Sequence, residues 1–414
     1  MTDIAGTVPV IAVDKVQAVA LAVCTYYFGV WLKGKVCVLS RYSIPSPVVG
    51  GMSFAIVVSF LEYFNIVKVQ IDSTLQTVLM LGFFTTIGLM ASLRVVKDGG
   101  RLLLGFLLAV TVLVFLQNGM GMTIAEAMGF DKHYGILAGS VSMMGGLGTA
   151  AAFGPYFEET YGITGGTAVA VTAATFGMVA ALLIGGPFGE WCIRRYKVKT
   201  PDEVQQPEPE LHLPDDMDTD ITEQHASAKP NFTNEIMRAV SVTALAMGLG
   251  TIVSNYLGHY ITLPAYIGAM IVATVIRNVG DFSGMYKVEG KGLNAVADIT
   301  LVLFVTMAIN NLKLHELVHL ALPLVVILAC QTILMLIYAW TVLFTAFGRS
   351  YDAVMLSVGG IGFSMGATAN GLANMQAISE KYGSSPRAWL IVSVVGAFLI
   401  DLINAVVITW FGTL

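Results

Sequence analysis

One stretch near the end of the chain decides the fold: Gly359-Gly360-Ile361-Gly362-Phe363-Ser364-Met365-Gly366-Ala367-Thr368-Ala369-Asn370-Gly371-Leu372-Ala373-Asn374-Met375-Gln376. It lies among long apolar segments, yet it contains too many glycines and amides for an ordinary membrane-spanning helix. Irregular backbone is tolerated at membrane depth only where it is buried in protein or lines a water-filled cavity. Glycine also lets main-chain groups approach a ligand closely. The stretch therefore predicts a re-entrant loop that lines a substrate path.

The composition is that of a membrane protein. The chain has 414 residues, of which 56% are hydrophobic and 12% are charged, whereas a typical soluble domain is about 25% charged. Its apolar residues form long runs, and a run of about 18 residues is long enough to cross a bilayer. We therefore expect an all-α polytopic membrane protein that contacts the lipid bilayer and binds no nucleic acid.

The apolar runs predict ten membrane spans, five on each side of a polar segment in the middle of the chain. The first five cover residues 16–32, 45–61, 74–93, 102–124 and 165–187. The second five cover residues 236–257, 261–276, 293–312, 320–347 and 388–411.

The basic residues orient these spans. Lys and Arg favour cytoplasmic loops, and all but four of the 22 Lys and Arg residues fall on one side of the predicted spans. The exceptions are Lys15, Lys68, Lys132 and Lys313. This asymmetry predicts that both termini lie outside the cytoplasm.

A proline-rich, acidic segment over residues 200–235 divides the chain. It has too little apolar surface to fold alone, so we predict a flexible cytoplasmic linker. The domain prediction is an N-terminal five-span repeat over residues 1–199, this linker, and a C-terminal five-span repeat over residues 236–414.

The two halves share landmarks in the same order. Gln117 corresponds to Gln331, and Tyr134 before Gly145-Gly146-Leu147-Gly148-Thr149 corresponds to Tyr351 before the late glycine-rich stretch. Because each half has an odd number of spans, the halves must insert upside down relative to each other. Two inverted five-helix repeats, each with a glycine-rich re-entrant loop, are typical of secondary transporters. Chance similarity between apolar segments is the alternative.

The two glycine-rich loops, residues 135–154 and 351–376, are expected to enter from opposite faces and to meet near the midplane. N–H groups at broken helix ends suit a carboxylate, and carbonyl oxygens suit a sodium ion. Packing through small residues, as in Gly362-x-x-x-Gly366, is the alternative. The predicted substrate-binding residues are Gly145, Gly146, Gly148, Thr149, Gly362, Ser364, Gly366, Thr368, Asn370, Asn374 and Gln376.

Asp401 lies deep within the last predicted span. An intramembrane carboxylate is costly unless it has a partner, so it indicates function. Asn404 follows on the same helical face, and we predict that both bind sodium or a substrate ammonium group. A structural hydrogen-bonded pair is the alternative. For the intramembrane amides Gln117, Asn118 and Gln331, hydrogen bonding between helices is at least as good an interpretation as a functional role.

One motif indicates a different class of protein. His315-Glu316-Leu317-Val318-His319 matches H-E-x-x-H, which on a helix binds zinc and would make a membrane zinc metallopeptidase. It falls in an outer loop without an obvious third ligand, so we interpret the match as accidental. We predict a protein that is not an enzyme, with no catalytic residue, no resident metal and no cofactor. The glycine-rich segments lack a Walker lysine, which excludes an ATP-driven pump and leaves an ion gradient or a passive pathway.

Several longer motifs indicate a family. The first half contains Tyr42-Ser43-Ile44-Pro45-Ser46-Pro47, Phe83-Phe84-Thr85-Thr86-Ile87-Gly88-Leu89 and Ile184-Gly185-Gly186-Pro187. The second half contains Gly362-Phe363, Gly366-Ala367-Thr368 and Ala373-Asn374-Met375-Gln376-Ala377-Ile378, followed by Asp401 and Asn404. In these motifs the chain resembles the bacterial sodium/glutamate symporters along nearly its whole length.

The resemblance implies uptake of L-glutamate coupled to Na+, in the bacterial inner membrane, by a homodimer with an elevator-type motion. The chain departs from the family pattern at Leu147 and Gly360, where a histidine is usual, and at Ala369, where a proline is usual. These positions lie in the predicted site. A symporter of another small carboxylate, or one coupled to protons, is therefore the alternative.

Overall fold

The computed structural model consists mainly of long apolar helices. It describes residues 9–37, 39, 44–201, 232–257, 265–284, 286, 290–313 and 320–414. Within these residues, eight helices are long and apolar enough to cross a membrane. They are Lys15–Lys35, Ser46–Tyr63, Gly100–Ala127, Gly166–Tyr196, Phe232–Tyr256, Lys291–Asn310, Ala321–Ala346 and Pro386–Gly412. This architecture is that of a polytopic, all-helical membrane protein.

The N-terminal half contains a small sheet and a series of helices. Strands β1 (Val10–Val13) and β2 (Lys68–Ile71) pair in parallel, with Val10 opposite Lys68. The helices are α1 (Lys15–Lys35), α2 (Ser46–Tyr63), α3 (Thr74–Met90), α4 (Leu93–Ala127), α5 (Lys132–Ile136), α6 (Gly146–Tyr161) and α7 (Gly166–Tyr196). A π-helical turn, Leu137–Val141, extends α5.

The secondary-structure elements in the described part of the C-terminal half are all helices. Its helices are α8 (Phe232–Leu257), α9 (Ala265–Ser283), α10 (Lys291–Asn310), α11 (Ala321–Tyr338), α12 (Tyr351–Ser364), α13 (Thr368–Tyr382), α14 (Pro386–Val394) and α15 (Ile400–Gly412). One π-helical segment, Ala339–Ala346, extends α11, and another, Val395–Leu399, joins α14 to α15.

Helices occupy all ten predicted spans, with differences at two of them. The third span is the shorter helix α3, of 17 residues, because the backbone leaves the helical conformation at Ala91. The seventh is α9, whose predicted start at residue 261 lies outside the described residues. Most of the predicted linker, residues 202–231, also lies outside them. Helix α8 begins at Phe232, inside the range that we assigned to the linker.

Helices from both halves of the sequence pack together in two bundles. Bundle A consists of α1, α2, α3, α8, α9 and α10, and bundle B of α4 to α7 and α11 to α15. In bundle A, the ring of Phe84 on α3 stacks on that of Tyr266 on α9, with centroids 4.5 Å apart. In bundle B, Tyr338 Oη on α11 donates a 2.6 Å hydrogen bond to Ala109 O on α4. The packing therefore groups the early spans of one half with the corresponding spans of the other.

Both ends of the described chain lie at the same end of the molecule. At the start, β1 pairs with β2, and Ile71 of β2 lines a cavity together with Glu158 of α6. At the other terminus, Gly412 O lies 3.2 Å from His133 Nε2 of α5. The ring of His133 in turn stacks on that of Tyr161 of α6. We refer to this as the terminal end of the molecule.

Candidate functional site

The first glycine-rich segment is a helical hairpin rather than an irregular loop. Hairpin 1, residues 132–161, consists of α5 with its π-helical turn, a break at residues 142–145, and α6. Its two ends lie together, because the rings of His133 and Tyr161 stack with centroids 4.2 Å apart. The chain turns back at Gly146, whose φ of +62° favours glycine.

The late glycine-rich stretch, residues 359–376, belongs to a segment with the same arrangement. Hairpin 2, residues 351–382, consists of α12, a break at residues 365–367, and α13. Its ends also lie together, since Tyr351 Oη donates a 2.5 Å hydrogen bond to Gly383 O. A Cβ on Gly362 would collide with the backbone of Gly371, so these glycines let α12 and α13 cross closely. We expected irregular backbone here. Helix forms instead because it satisfies the amide groups internally in a buried position.

The breaks of the two hairpins lie against each other in the interior of the protein. A Cβ on Gly146 would lie 2.5 Å from Gly366 O, a separation that only glycine permits. Helix α7 passes equally close, because a Cβ on Gly177 would collide with Met365 O. The two glycine-rich segments, far apart in sequence, are thus in contact.

Neighbouring amides on α4 support the two hairpins. Asn118 Oδ1 accepts a 2.9 Å hydrogen bond from Ser140 N in hairpin 1, where Gly139 interrupts the helical backbone. Gln117 Nε2 donates a 2.9 Å hydrogen bond to Ser364 O at the last residue of α12. Backbone groups without a partner are costly away from water, so both amides stabilise unwound backbone.

Two further amides complete this set. Asn404 Nδ2 donates to Ser140 O at 3.1 Å, and Gln331 Nε2 donates to Gln117 O at 2.7 Å. We define the amide cluster as Gln117, Asn118, Ser140, Gln331, Ser364 and Asn404, each at most 1% exposed. Of these, only Ser364 and Asn404 were predicted as site residues. The signal for Gln117 and Asn118 was present in the sequence as two adjacent amides within an apolar helix.

Three predicted substrate-binding side chains anchor hairpin 2 to its neighbours. Asn370 Nδ2 and Asn374 Nδ2 donate 3.0 Å hydrogen bonds to Met178 O and Ala181 O of α7. Thr368 Oγ1 donates a 2.5 Å hydrogen bond to Gly396 O, between α14 and α15. These donors already have protein partners, so the side chains position the hairpin.

Of the remaining predicted residues, some lie at the tip of hairpin 1 and one lies away from both hairpin tips. At the tip of hairpin 1, Gly145 packs against the side chain of Thr149, which is buried. A Cβ on Gly148 would lie 3.0 Å from the ring of Phe83, so the start of α6 faces bundle A. Gln376, in contrast, is exposed, and its Nε2 donates to Glu380 Oε1 at 3.1 Å, away from the tips.

Asp401 and Asn404 are not hydrogen-bonded to each other. Asn404 is fully buried and contacts hairpin 1, whereas Asp401 is partly exposed. Among the residues that the structure describes, we find neither a hydrogen bond nor an ion pair to the Asp401 carboxylate. The structure therefore does not contain the hydrogen-bonded pair of Asp401 and Asn404 that was the structural alternative.

A cavity of about 250 Å³ opens at the terminal end, between α3 and α10 of bundle A and α6 and α7 of bundle B. Its polar lining includes Gln76, Thr167, Asn311 and Lys313, and also Glu158, whose Oε1 accepts a 2.7 Å hydrogen bond from Thr167 N.

An acidic side chain stands beside this cavity, just before α3. Hydrogen bonds from Thr74 hold the pKa of Asp72 below its usual range. The entrance to the cavity therefore carries charges of both signs.

The H-E-x-x-H motif, residues 315–319, lies outside the described residues. Within the described part of the chain, no group of three or more His, Cys, Asp or Glu side chains is placed to hold a metal ion.

Broken helices that meet at the centre of a helical membrane protein are where secondary transporters bind substrates and ions. The fold and the site define a protein of this class. Residues 11–384 match the family model described as Sodium/glutamate symporter. The chain therefore belongs to the sodium/glutamate symporter family, which is a family of transporters and not of enzymes.

Two relatives show how close this relationship is. The chain is 38% identical over 400 residues to the Sodium/glutamate symporter of Escherichia coli (strain K12), covering 95% of this chain and 96% of the relative. It is 35% identical over 395 residues to the Sodium/glutamate symporter of Haemophilus influenzae, covering 94% and 95%. The match to the family model includes both hairpins.

Proposed function

We propose that the protein takes up L-glutamate across the bacterial inner membrane by symport with Na+. The observation that carries this proposal is the contact between the hairpin breaks, at Gly146 and Gly366, in a member of the sodium/glutamate symporter family. The names of the family and of its members supply the substrate and the coupling ion. We propose that they bind at this contact.

The hairpin tips offer two sites for carboxylates. Helix α6 begins at Gly146 and helix α13 at Thr368, so two helix N-termini lie at the contact between the breaks. Helix N-termini present free N–H groups and partial positive charge, which favour anions. L-Glutamate carries two carboxylates, and we assign one to each N-terminus. The residues in this proposal are Gly145, Gly146, Gly148, Thr149, Gly366 and Thr368.

The departures from the family pattern bear on the substrate. Leu147 is partly accessible and Ala369 is exposed, both at the hairpin tips, whereas Gly360 is buried against Leu343. Changes at Leu147 and Ala369 therefore alter the surface that the substrate meets. Another small carboxylate is the second candidate substrate for this reason.

Alternating access is proposed to occur by movement of bundle B along bundle A. Support comes from the positions of the hairpins along the 31-residue helix α7. The ends of hairpin 1 lie near the start of α7, and the ends of hairpin 2 lie near its end. Hairpin 1 contacts the start of α7 through Glu158 and Thr167, and hairpin 2 contacts its end through a 2.7 Å ion pair between Lys381 and Glu190. We infer that the hairpins are re-entrant from opposite membrane faces and belong to inverted repeats.

Three further parts of the proposal concern the orientation in the membrane, the route of substrate entry and the oligomeric state. The terminal end, with Lys68, Lys132 and Lys313 nearby, is assigned to the periplasmic face, because most basic residues lie elsewhere. The cavity at this end is assigned as the route by which substrate enters. A homodimer is proposed from the family resemblance alone.

The test is uptake of labelled L-glutamate into proteoliposomes. We expect accumulation under an inward Na+ gradient and none when choline replaces Na+. Accumulation driven equally well by a proton gradient without Na+ would contradict the coupling ion. A Na+ gradient that accumulates no glutamate, yet accumulates another carboxylate, would contradict the substrate.

A further inference from the structure

The amide cluster contains polar atoms that no protein group satisfies. Five are oxygens: Gln117 Oε1, Ser140 Oγ, Gln331 Oε1, Ser364 Oγ and Asn404 Oδ1. The side chains that carry them are at most 1% exposed. Buried polar atoms in native structures nearly always have a partner, so five unpaired oxygens in one cluster indicate that water or an ion binds there.

Hydrogen bonds join the members of the cluster into one continuous group. The Gln117 amide bonds to Ser364 O, and Gln331 bonds to the backbone of Gln117. Hairpin 1 lies against the same residues of α4 at Gly139, where a Cβ would lie 3.0 Å from Asn118 Oδ1 and 3.1 Å from Gln117 O. These hydrogen bonds hold the residues of the cluster together where α4, α11, α12 and α15 meet the π-helical turn of hairpin 1.

The chemistry of this region favours a cation. Amide and hydroxyl oxygens are ligands for hard cations, and transporters bind Na+ with unwound backbone and the C-terminal ends of half-helices. Ser364 is the last residue of α12, where the helix dipole is negative. A water molecule has only two hydrogens to donate and cannot satisfy five acceptors. Asn118 Nδ2, the unpaired amide nitrogen of the cluster, suits a water beside the ion.

We propose that the amide cluster is a Na+ site, with Gln117, Ser140, Gln331, Ser364 and Asn404 as its side-chain ligands. This inference rests on the proposed sodium coupling and gives it a location separate from the carboxylate sites at the helix N-termini. Na+ bound here joins the backbone of both hairpins to α4. The ion therefore holds the two breaks in the arrangement that binds the substrate.

Two serine substitutions test the proposal without removing a hydrogen bond between protein groups. Ser364→Ala and Ser140→Ala each delete only an unpaired hydroxyl, since Gln117, Asn118 and Asn404 bond to the backbone of these serines. Ser357→Ala is the matched control, because Ser357 is equally buried on α12 but its Oγ already donates to Ala353 O at 2.7 Å. Ser364→Cys, nearly the same in size, replaces the oxygen by a poorer ligand for Na+ if an alanine variant fails to fold.

Two measurements are made on each purified variant. One is the thermal unfolding midpoint of the glutamate-free protein as NaCl replaces choline chloride. The other is the Na+ concentration that gives half-maximal glutamate uptake. We expect both measurements to show that the affinity for Na+ is at least about tenfold lower in the cluster variants, because each variant has lost one ligand. Ser357→Ala is expected to match the unsubstituted protein.

The outcomes separate this inference from the proposed function. If the cluster variants still take up glutamate with Na+ and their affinity for Na+ is unchanged, the cluster holds only water. The proposed function would then stand without this Na+ site. An equal loss of affinity in Ser357→Ala would also overturn the site. Na+ binding that is lost in the variants, in a protein that does not transport glutamate, would keep the site and overturn the substrate. No effect of Na+ on the unsubstituted protein by either measurement would overturn both.

Discussion

Gly146 and Gly366 lie so close that a Cβ on Gly146 would come within 2.5 Å of the Gly366 carbonyl oxygen. Gly146 also has a φ of +62°, which costs about 1–2 kcal/mol for a residue with a Cβ. The two hairpins are therefore in contact at this point only because residue 146 is glycine. Each hairpin tip fixes the position of the other.

This contact predicts the effect of Gly146→Ala. The methyl group has to push the tip of hairpin 1 away from hairpin 2, so we expect glutamate uptake to fall at least about tenfold, the effect of misplacing a binding group by a fraction of an ångström. Gly186→Ala is the control, since no neighbouring atom lies within 4 Å of its Cβ position. Normal uptake by Gly146→Ala would show that the contact is dispensable.

Asn118→Leu is predicted to destabilise the protein. It leaves Ser140 N without its acceptor in a buried position, which costs about 1–3 kcal/mol. The midpoint of thermal unfolding in detergent should fall accordingly. Thr123→Val on the same helix should leave it nearly unchanged, because Thr123 is exposed and bonds only to its own helix at Gly119 O. An equal stability of both variants would contradict the supporting role of Asn118.

Asp401→Asn tests the remaining predicted ion ligand. The substitution keeps the shape of the side chain and removes a charge for which the described residues provide no ion pair. If Asp401 binds Na+ or the substrate ammonium group, uptake should fall, or its dependence on Na+ should change, while the amount of folded protein stays constant. Unchanged uptake with unchanged Na+ dependence would show that Asp401 has neither role.

A cross-link between the bundles tests the proposed motion. Cysteines would replace Tyr266 in bundle A and Phe153 in bundle B, whose rings lie with centroids 5.4 Å apart, after replacement of Cys24, Cys37, Cys192 and Cys330. Mercury should join the pair and stop uptake, and a reducing thiol should restore it.

The matched control for this cross-link is a cysteine pair at Phe84 and Tyr266, within bundle A. This pair should bind mercury without loss of transport. Continued transport with the first pair fully cross-linked would exclude movement between the bundles.

Much of the fold was predictable from the sequence, because lipid imposes a simple rule on apolar segments. Each of the ten predicted spans contains helix, and the late glycine-rich stretch was correctly singled out as interrupted. Its helical content was underestimated. Glycine weakens a helix in isolation, but the crossing at Gly362 and Gly371 requires glycine on both helices, and packing decides the outcome.

The site was less predictable, because a residue's role depends on which elements meet. The sequence showed that Asn370 and Asn374 are polar residues in an apolar region, but not that α7 accepts their hydrogen bonds. Gln117 and Asn118 were recognised as membrane amides. Their position between the two hairpins depends on long-range packing, which no local pattern specifies. The inverted repeat stays a prediction that the shared order of landmarks supports.

Gln117 and Asn118 are consecutive residues of one continuous helix, and each holds a different hairpin. A peptide unit is too stiff for these two side chains to separate. Neither hairpin can therefore shift without straining the support of the other. In the proposed transport mechanism this shared support opposes leakage, because a shift of one hairpin without the other would break buried hydrogen bonds.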